Sequence, residues 1–172
     1  MRTLQALIRA VPDFPTAGIT FRDITPLLAD AQAFARCIEC LAEPWVDQRI
    51  EAICAIESRG FIFGAALATR LGAGFVPLRK PCKLPPPVIG IDYELEYGHN
   101  RLEARADACR AGERVLLVDD VLATGGTLAA AHALVKTTGA HIVGASVLIE
   151  LPALSGRKRW PDDLPLHALL SY

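Results

Sequence analysis

The sequence predicts an α/β fold: a mainly parallel, twisted sheet flanked by helices. Runs of strand length and buried character occur at Ile50–Ile56, Phe75–Leu78, Arg114–Val118 and His141–Ile149. Helix-like stretches at Phe61–Leu71 and Gly126–Thr138 alternate with them, and strand–helix alternation is what a parallel sheet covered on both faces requires. Each strand-like run is also followed by chemically loaded residues, as expected where ligands bind at the carboxyl ends of parallel strands.

Taken in order, Thr3–Ala10 and Ala31–Ala42 have helical spacing. The strand Ile50–Ile56 runs into Ser58-Arg59-Gly60 and the helix Phe61–Leu71, after which Gly72 and Gly74 punctuate before Phe75–Leu78. Lys80–Pro87 holds four prolines and reads as a loop without regular structure. Val88–Tyr97 and Arg101–Ala106 read as extended segments joined by Gly98–Asn100, a hairpin or flap. Arg114–Val118, Gly126–Thr138 and His141–Ile149 complete the strand–helix–strand pattern.

At 172 residues, with 52% hydrophobic and 22% charged side chains, the chain is long enough for one domain with a real core. The net charge of −1 argues against nucleic-acid or membrane partners held by the overall field, so any phosphate must be met by a local cluster. No apolar run approaches the roughly 20 residues that span a bilayer, and Met1–Ala10 does not resemble a secretory signal; a soluble cytoplasmic protein is expected. Cys37 and Cys40 lack a second pair or a nearby histidine and read as small core residues of a helix. The four histidines (99, 132, 141 and 167) have no metal-ligand spacing.

The chemistry concentrates in Val115–Thr127. A core strand is followed by Asp119 and Asp120, then by the small, hydroxyl-rich turn Ala123-Thr124-Gly125-Gly126-Thr127, which opens a helix. Glycines let backbone N–H groups approach an anion, and the helix N-terminus adds orphan donors and a positive dipole end. The turn lacks the lysine of a P-loop and any G-x-G-x-x-G pattern. It reads as a cradle for a phosphate monoester, with the two carboxylates suited to the hydroxyls of an attached ribose.

This segment resembles the phosphoribosyl-pyrophosphate motif of type I phosphoribosyltransferases, and specifically of their adenine-using family. The similarity extends over Phe14–Ile24, Glu57–Phe61, Arg79-Lys80 with Lys83–Pro85, and Leu95–Gly98. The resemblance implies the type I fold, with a small hood drawn from about residues 1–30 and the C-terminal segment, and a flexible flap at about 80–106. It implies adenine and 5-phosphoribosyl 1-pyrophosphate as substrates, AMP and pyrophosphate as products, Mg²⁺ as cofactor and purine salvage as context.

The family resemblance also assigns roles. Ala123, Thr124, Gly125, Gly126 and Thr127 hold the 5-phosphate, and Asp119 and Asp120 meet the ribose hydroxyls and oppose the positive charge of an oxocarbenium-like transition state. Ser58, Arg59 and Gly60 form the pyrophosphate loop, which carries a strained peptide bond. Arg79, Lys80 and Lys83 serve the pyrophosphate, Arg79 in the neighbouring subunit, which implies a homodimer. Cys82 stands where the family usually has glycine, and the run Pro85–Pro87 is unusual, so this loop departs from the pattern. Glu96, on the flap with Tyr97, assists proton transfer at the imidazole edge of the base. Thr20, Phe21 and Arg22 form the base pocket, with Leu151 on its far wall. Ala123 stands where enzymes for 6-oxopurines carry an aspartate, which argues for adenine over guanine, hypoxanthine or xanthine. A purine-sensing regulator on the same fold is the rival from a different class, but it needs a DNA-binding module and a basic face, for which the sequence offers no spare segment.

Overall fold

The structure, a computed structural model, describes residues 3–95 and 98–172. The chain divides into two compact units, Met1–Cys40 and Leu41–Tyr172.

Within the first unit a short 3-10 turn, Leu4–Leu7, precedes strands β1 (Arg9–Val11) and β2 (Phe21–Asp23), which pair antiparallel with Ala10 opposite Arg22. This corrects the expected helix over Thr3–Ala10. The Ile8 N–H closes a tight bond to the Gln5 carbonyl, and Pro12 blocks continuation as a helix, so the β-branched end of the segment goes to a ladder. Helices α1 (Thr25–Ala29) and α2 (Ala31–Ala42) follow. α2 starts where the Asp30 carboxylate accepts from the Gln32 and Ala33 N–H groups, an N-cap. Cys37 is fully buried in α2 and its thiol is pushed up to about 12 by burial, as a small core residue should be, whereas Cys40, expected in the core beside it, is only half-buried.

The second unit is built on a five-stranded, wholly parallel sheet. Its strands are β3 (Ala52–Ile56), β4 (Gly74–Leu78), β7 (Arg114–Leu122), β8 (His141–Glu150) and β9 (Leu166–Ser171), in the spatial order β4-β3-β7-β8-β9. Counting only these strands, the order is 2-1-3-4-5, a doubly wound arrangement whose switch point lies between β3 and β7. Every residue of β3 is buried, the signature of a strand covered on both faces. Alternate residues serve the two sides. Ile53 and Ala55 lie under helix α3 (Gly60–Leu71), where a Cβ on Gly64 would strike the Ala55 methyl. Ala52, Cys54 and Ile56 join Leu117, Leu128, Ala131 and Leu134 in the other core layer, under helix α4 (Gly126–Lys136). Full burial of each such leucine contributes about 1.5–3 kcal/mol.

Strands β5 (Val88–Leu95) and β6 (Gly98–Arg105) form a separate antiparallel hairpin, with Leu95 opposite Gly98. The second strand thus begins three residues earlier than expected, because cross-strand pairing incorporates Gly98–Asn100. Strand β7 is longer than the expected Arg114–Val118. Its pairing with β3 ends at Val118, but its pairing with β8 continues to Leu122 opposite Glu150. No helix among the described residues is long and apolar enough to cross a membrane.

Candidate active site

A cavity of about 530 Å³ opens at the carboxyl ends of β3 and β7, at the switch point of the sheet. Glu57, Ser58 and Arg59 line one side, Asp119, Asp120, Ala123 and Thr127 another, and Lys80, Tyr93, Asn100 and Leu102 complete the wall.

The first side is the turn from β3 into α3. The Glu57–Ser58 peptide is cis. The Ser58 and Arg59 carbonyls accept from the Phe61 and Ile62 N–H groups, starting the helix. Gly60 is buried against β7: a Cβ there would meet Asp119 Oδ1 at 3.0 Å and the Val118 carbonyl oxygen at 3.1 Å. Glycine is what lets this turn approach the carboxylate so closely.

The two acids remain on β7 and do not follow it. Asp120 is buried, 5% exposed, and its Oδ2 lies 2.6 Å from Arg59 Nε. The Asp120 N–H donates to Asp119 Oδ1 at 2.9 Å. Burial holds the Asp119 carboxyl well above the usual range, with the Asp120 charge adding to the effect. Asp120 is also raised by burial, though the Arg59 guanidinium opposes the shift. Two crowded carboxylates with one paired cation form an electron-rich floor that attracts a positive group.

Of the glycine-rich turn, Ala123 and Thr127 line the cavity, Thr124 is half-buried, and Gly125 and Gly126 are buried. Gly125 takes φ +81° immediately before α4, whose first residue is Gly126. The N-terminus of an eleven-residue helix therefore starts at the cavity wall, adding its positive dipole end.

The basic cluster separates. Lys80 lines the cavity, whereas Arg79 forms a two-pronged ion pair with Glu57, Nε–Oε2 at 3.3 Å and Nη2–Oε1 at 3.1 Å. The Lys80 N–H donates to the same carboxylate at 2.9 Å, and Arg79 Nη1 donates to the Lys83 carbonyl at 3.0 Å. The Arg79 hydrogen bonds hold the Glu57 carboxyl below its ordinary value. Lys83 is exposed, and Cys82, in the family's glycine position, adopts φ +63°. Leu151 is half-buried after β8, its N–H donating to the Leu122 carbonyl at 2.9 Å. Thr20, Phe21 and Arg22 belong to the first unit, where the Phe21 ring meets Phe14 edge-on at 5.3 Å. Glu96 and Tyr97 lie outside the described residues. Sequence reasoning missed Glu57, Tyr93 and Asn100 as cavity residues. Glu57 had a signal, an acid one residue before the Ser-Arg-Gly turn; Tyr93 and Asn100 become neighbours only through the hairpin register.

A wholly parallel 2-1-3-4-5 sheet, with an acid pair at its switch point and a glycine-rich turn opening a helix beside it, fits the phosphoribosyltransferase class. Residues 23–163 match the family model of the phosphoribosyl transferase domain, and the chain belongs to that family. An adenine phosphoribosyltransferase of Synechococcus sp. (strain JA-3-3Ab) is 55% identical over 168 residues, covering 97% of this chain and 96% of the relative. The adenine phosphoribosyltransferase of Rhodothermus marinus superposes with a TM-score of 0.94 at 49% identity, over 98% of this chain and 96% of that one. The Saccharomyces cerevisiae enzyme, solved with adenine and an imino-altritol bisphosphate, superposes with a TM-score of 0.92 at 38% identity, over 97% and 96%. Within the family, the chain is thus a member of the adenine phosphoribosyltransferases.

Proposed function

We propose that the enzyme transfers the 5-phosphoribosyl group of 5-phosphoribosyl 1-pyrophosphate to adenine, releasing AMP and pyrophosphate in purine salvage. The observation that carries this reading is the one cavity lined together by the Asp119–Asp120 pair, by Ala123 and Thr127 of the glycine-rich turn, and by Ser58 and Arg59.

In this reading Ala123–Thr127 take the 5-phosphate at the start of α4, and Asp119 and Asp120 take the ribose hydroxyls. As the bond to pyrophosphate breaks, the sugar gains positive charge, which the adjacent carboxylates oppose from a desolvated position. Ser58, Arg59 and Gly60 receive the leaving pyrophosphate together with Lys80, Lys83 and Arg79. Arg79 comes from the neighbouring subunit of a homodimer, as the family resemblance implies; Phe75 and Ile62, exposed on the β4–α3 side, supply apolar surface for a partner. Thr20, Phe21, Arg22 and Leu151 recognise adenine, the Thr20 backbone pairing with its N1 and amino group. Residues up to about 30 and the C-terminal segment act as the hood. The segment at about 80–106, which includes Glu96 and Tyr97, acts as the flap. Glu96 manages the proton on the imidazole edge while closure keeps water from the activated sugar. The sugar carbon inverts.

The cavity floor fits Mg²⁺. Its donors are hard carboxylate oxygens, and no group of three or more metal-binding side chains exists among the described residues, so the ion must draw most ligands from substrate and water, as Mg²⁺ does. When bound, it neutralises pyrophosphate charge. A cytoplasmic location completes the proposal.

Incubating the purified protein with 5-phosphoribosyl 1-pyrophosphate, Mg²⁺ and each purine base in turn tests it. AMP and pyrophosphate are expected from adenine alone. An inert adenine beside a reacting guanine or hypoxanthine would overturn the base assignment, and binding without turnover of any base would favour the regulatory rival.

A further inference from the structure

We propose that Gly156, fastened by the Arg157–Glu150 ion pair, positions the phosphate-binding turn from behind. This rests on the reading that Ala123–Thr127 hold the 5-phosphate. Neither Gly156 nor Arg157 lines the cavity; their effect passes through the turn.

The contact is backbone against backbone. A Cβ on Gly125 would strike the Gly156 carbonyl oxygen and come within 3.0 Å of Gly156 Cα. Conversely, a Cβ on Gly156 would strike the Ala123 carbonyl oxygen and come within 2.8 Å of Gly125 N. Only a glycine facing a glycine permits this approach, and Gly156 is buried by it. The amide nitrogen crowded by a side chain at 156 belongs to the proposed anion cradle itself.

Gly156 is in turn held in place. Arg157 donates to both Glu150 oxygens, from Nε at 2.9 Å and Nη2 at 2.6 Å, and from Nη1 to the Leu166 carbonyl at 2.9 Å. Glu150 is the last residue of β8 and the register partner of Leu122, from which the phosphate turn departs. The fork therefore ties the turn carrying Gly156 to the strand end beside the cradle and to the start of β9. Planar guanidinium–carboxylate pairing fixes orientation as well as distance. Backbone donors aimed at a phosphate act only in the correct place, and a displacement of about 1 Å can cost on the order of a hundredfold.

The test compares Gly156→Ala, Arg157→Gln, Arg157→Lys and Thr127→Val with the wild type. Calorimetry gives the affinity for AMP and, separately, for Mg²⁺-pyrophosphate; steady-state kinetics give KM and kcat. Gly156→Ala is expected to weaken AMP by about tenfold to a hundredfold and raise the KM for 5-phosphoribosyl 1-pyrophosphate. Pyrophosphate affinity should be unchanged and kcat less affected. Arg157→Gln should move the same quantities less, and Arg157→Lys should recover part of the loss. Unchanged AMP affinity in Gly156→Ala, beside a loss in Thr127→Val, would overturn the positioning role alone. Unchanged affinity in both would instead overturn the cradle reading. An equal loss of AMP and pyrophosphate binding would mark general structural damage and also overturn the proposal. If Gly156→Ala fails to fold, Arg157→Gln, at a half-exposed side chain, decides by the same criteria.

Discussion

Asp119 and Asp120 are neighbouring carboxylates, and Arg59 is ion-paired to Asp120. Both are held above the ordinary value of 3.8, by burial first. A raised folded-state pKa means that the free protein binds these protons more tightly than the unfolded chain does. The associated stability is full below the ordinary value and lost as pH rises through the raised ones. Asp119→Asn removes that loss and keeps the oxygen that accepts the Asp120 N–H. Thermal melts from pH 5 to 8 should show the variant at or above the wild type, with the gap widening as pH rises, while kcat falls by about a hundredfold or more. A variant that melts several degrees lower at every pH would make Asp119 a structural residue. Glu57 has the opposite sign: Arg79 lowers its carboxyl, so its contribution is present above the ordinary value of 4.5 and lost as pH falls through the depressed one. The acid pair, Arg59 and the glycine-rich turn were legible in the sequence because their chemistry is local. The role of Glu57 was not, because its partners Arg79 and Lys80, distant in sequence, follow the end of the adjacent strand β4. Gly156 was equally silent, since nothing in its own surroundings reveals that it faces Gly125.

At the level of elements, strand and helix identities followed from periodicity wherever an element packs on both sides or along a clear stripe, as in β3, β8, α3 and α4. The failures were elements whose partners decide them. Arg9–Val11 is a strand because Phe21–Asp23 lies beside it, and Leu166–Ser171 because β8 offers a free parallel edge. Strand β7 runs past its apolar core into the acids because β8 is longer than β3, a difference invisible in β7 itself. The α3–β3 contact is equally tertiary. Gly64 sits where a methyl group would collide with Ala55 and approach Phe75 at 3.3 Å. Gly64→Ala gains up to about 1 kcal/mol of helix propensity but incurs about 1–3 kcal/mol of overpacking. A lower urea midpoint with an unchanged slope is expected, without a change in KM because Gly64 is outside the cavity. A midpoint at or above the wild-type value would show that the helix can shift away from the strand freely.

The molecule as a whole has nearly balanced charge, so the attraction for a highly anionic substrate must arise locally, at the switch point between β3 and β7. There the helix N-terminus, Arg59 and Lys80 meet. Arg79 tests whether that local field is completed by a second copy of the chain. In its own chain the guanidinium is occupied by Glu57 and the Lys83 carbonyl, and a third of its side chain remains exposed. Consider a mixed dimer of one chain carrying Asp119→Asn and one carrying Arg79→Ala. If Arg79 serves the partner's site, the Arg79→Ala chain keeps its acids and receives Arg79 from the other, giving one intact site in two. If Arg79 serves its own site, the first site lacks its carboxylate and the second its arginine, and neither is intact. Mixed dimers, assembled from differently tagged chains and purified on both tags, should therefore recover close to half the wild-type rate, far above either homodimer. Activity no greater than the mean of the two inactive homodimers would confine Arg79 to its own subunit and make the Glu57 fork its working position.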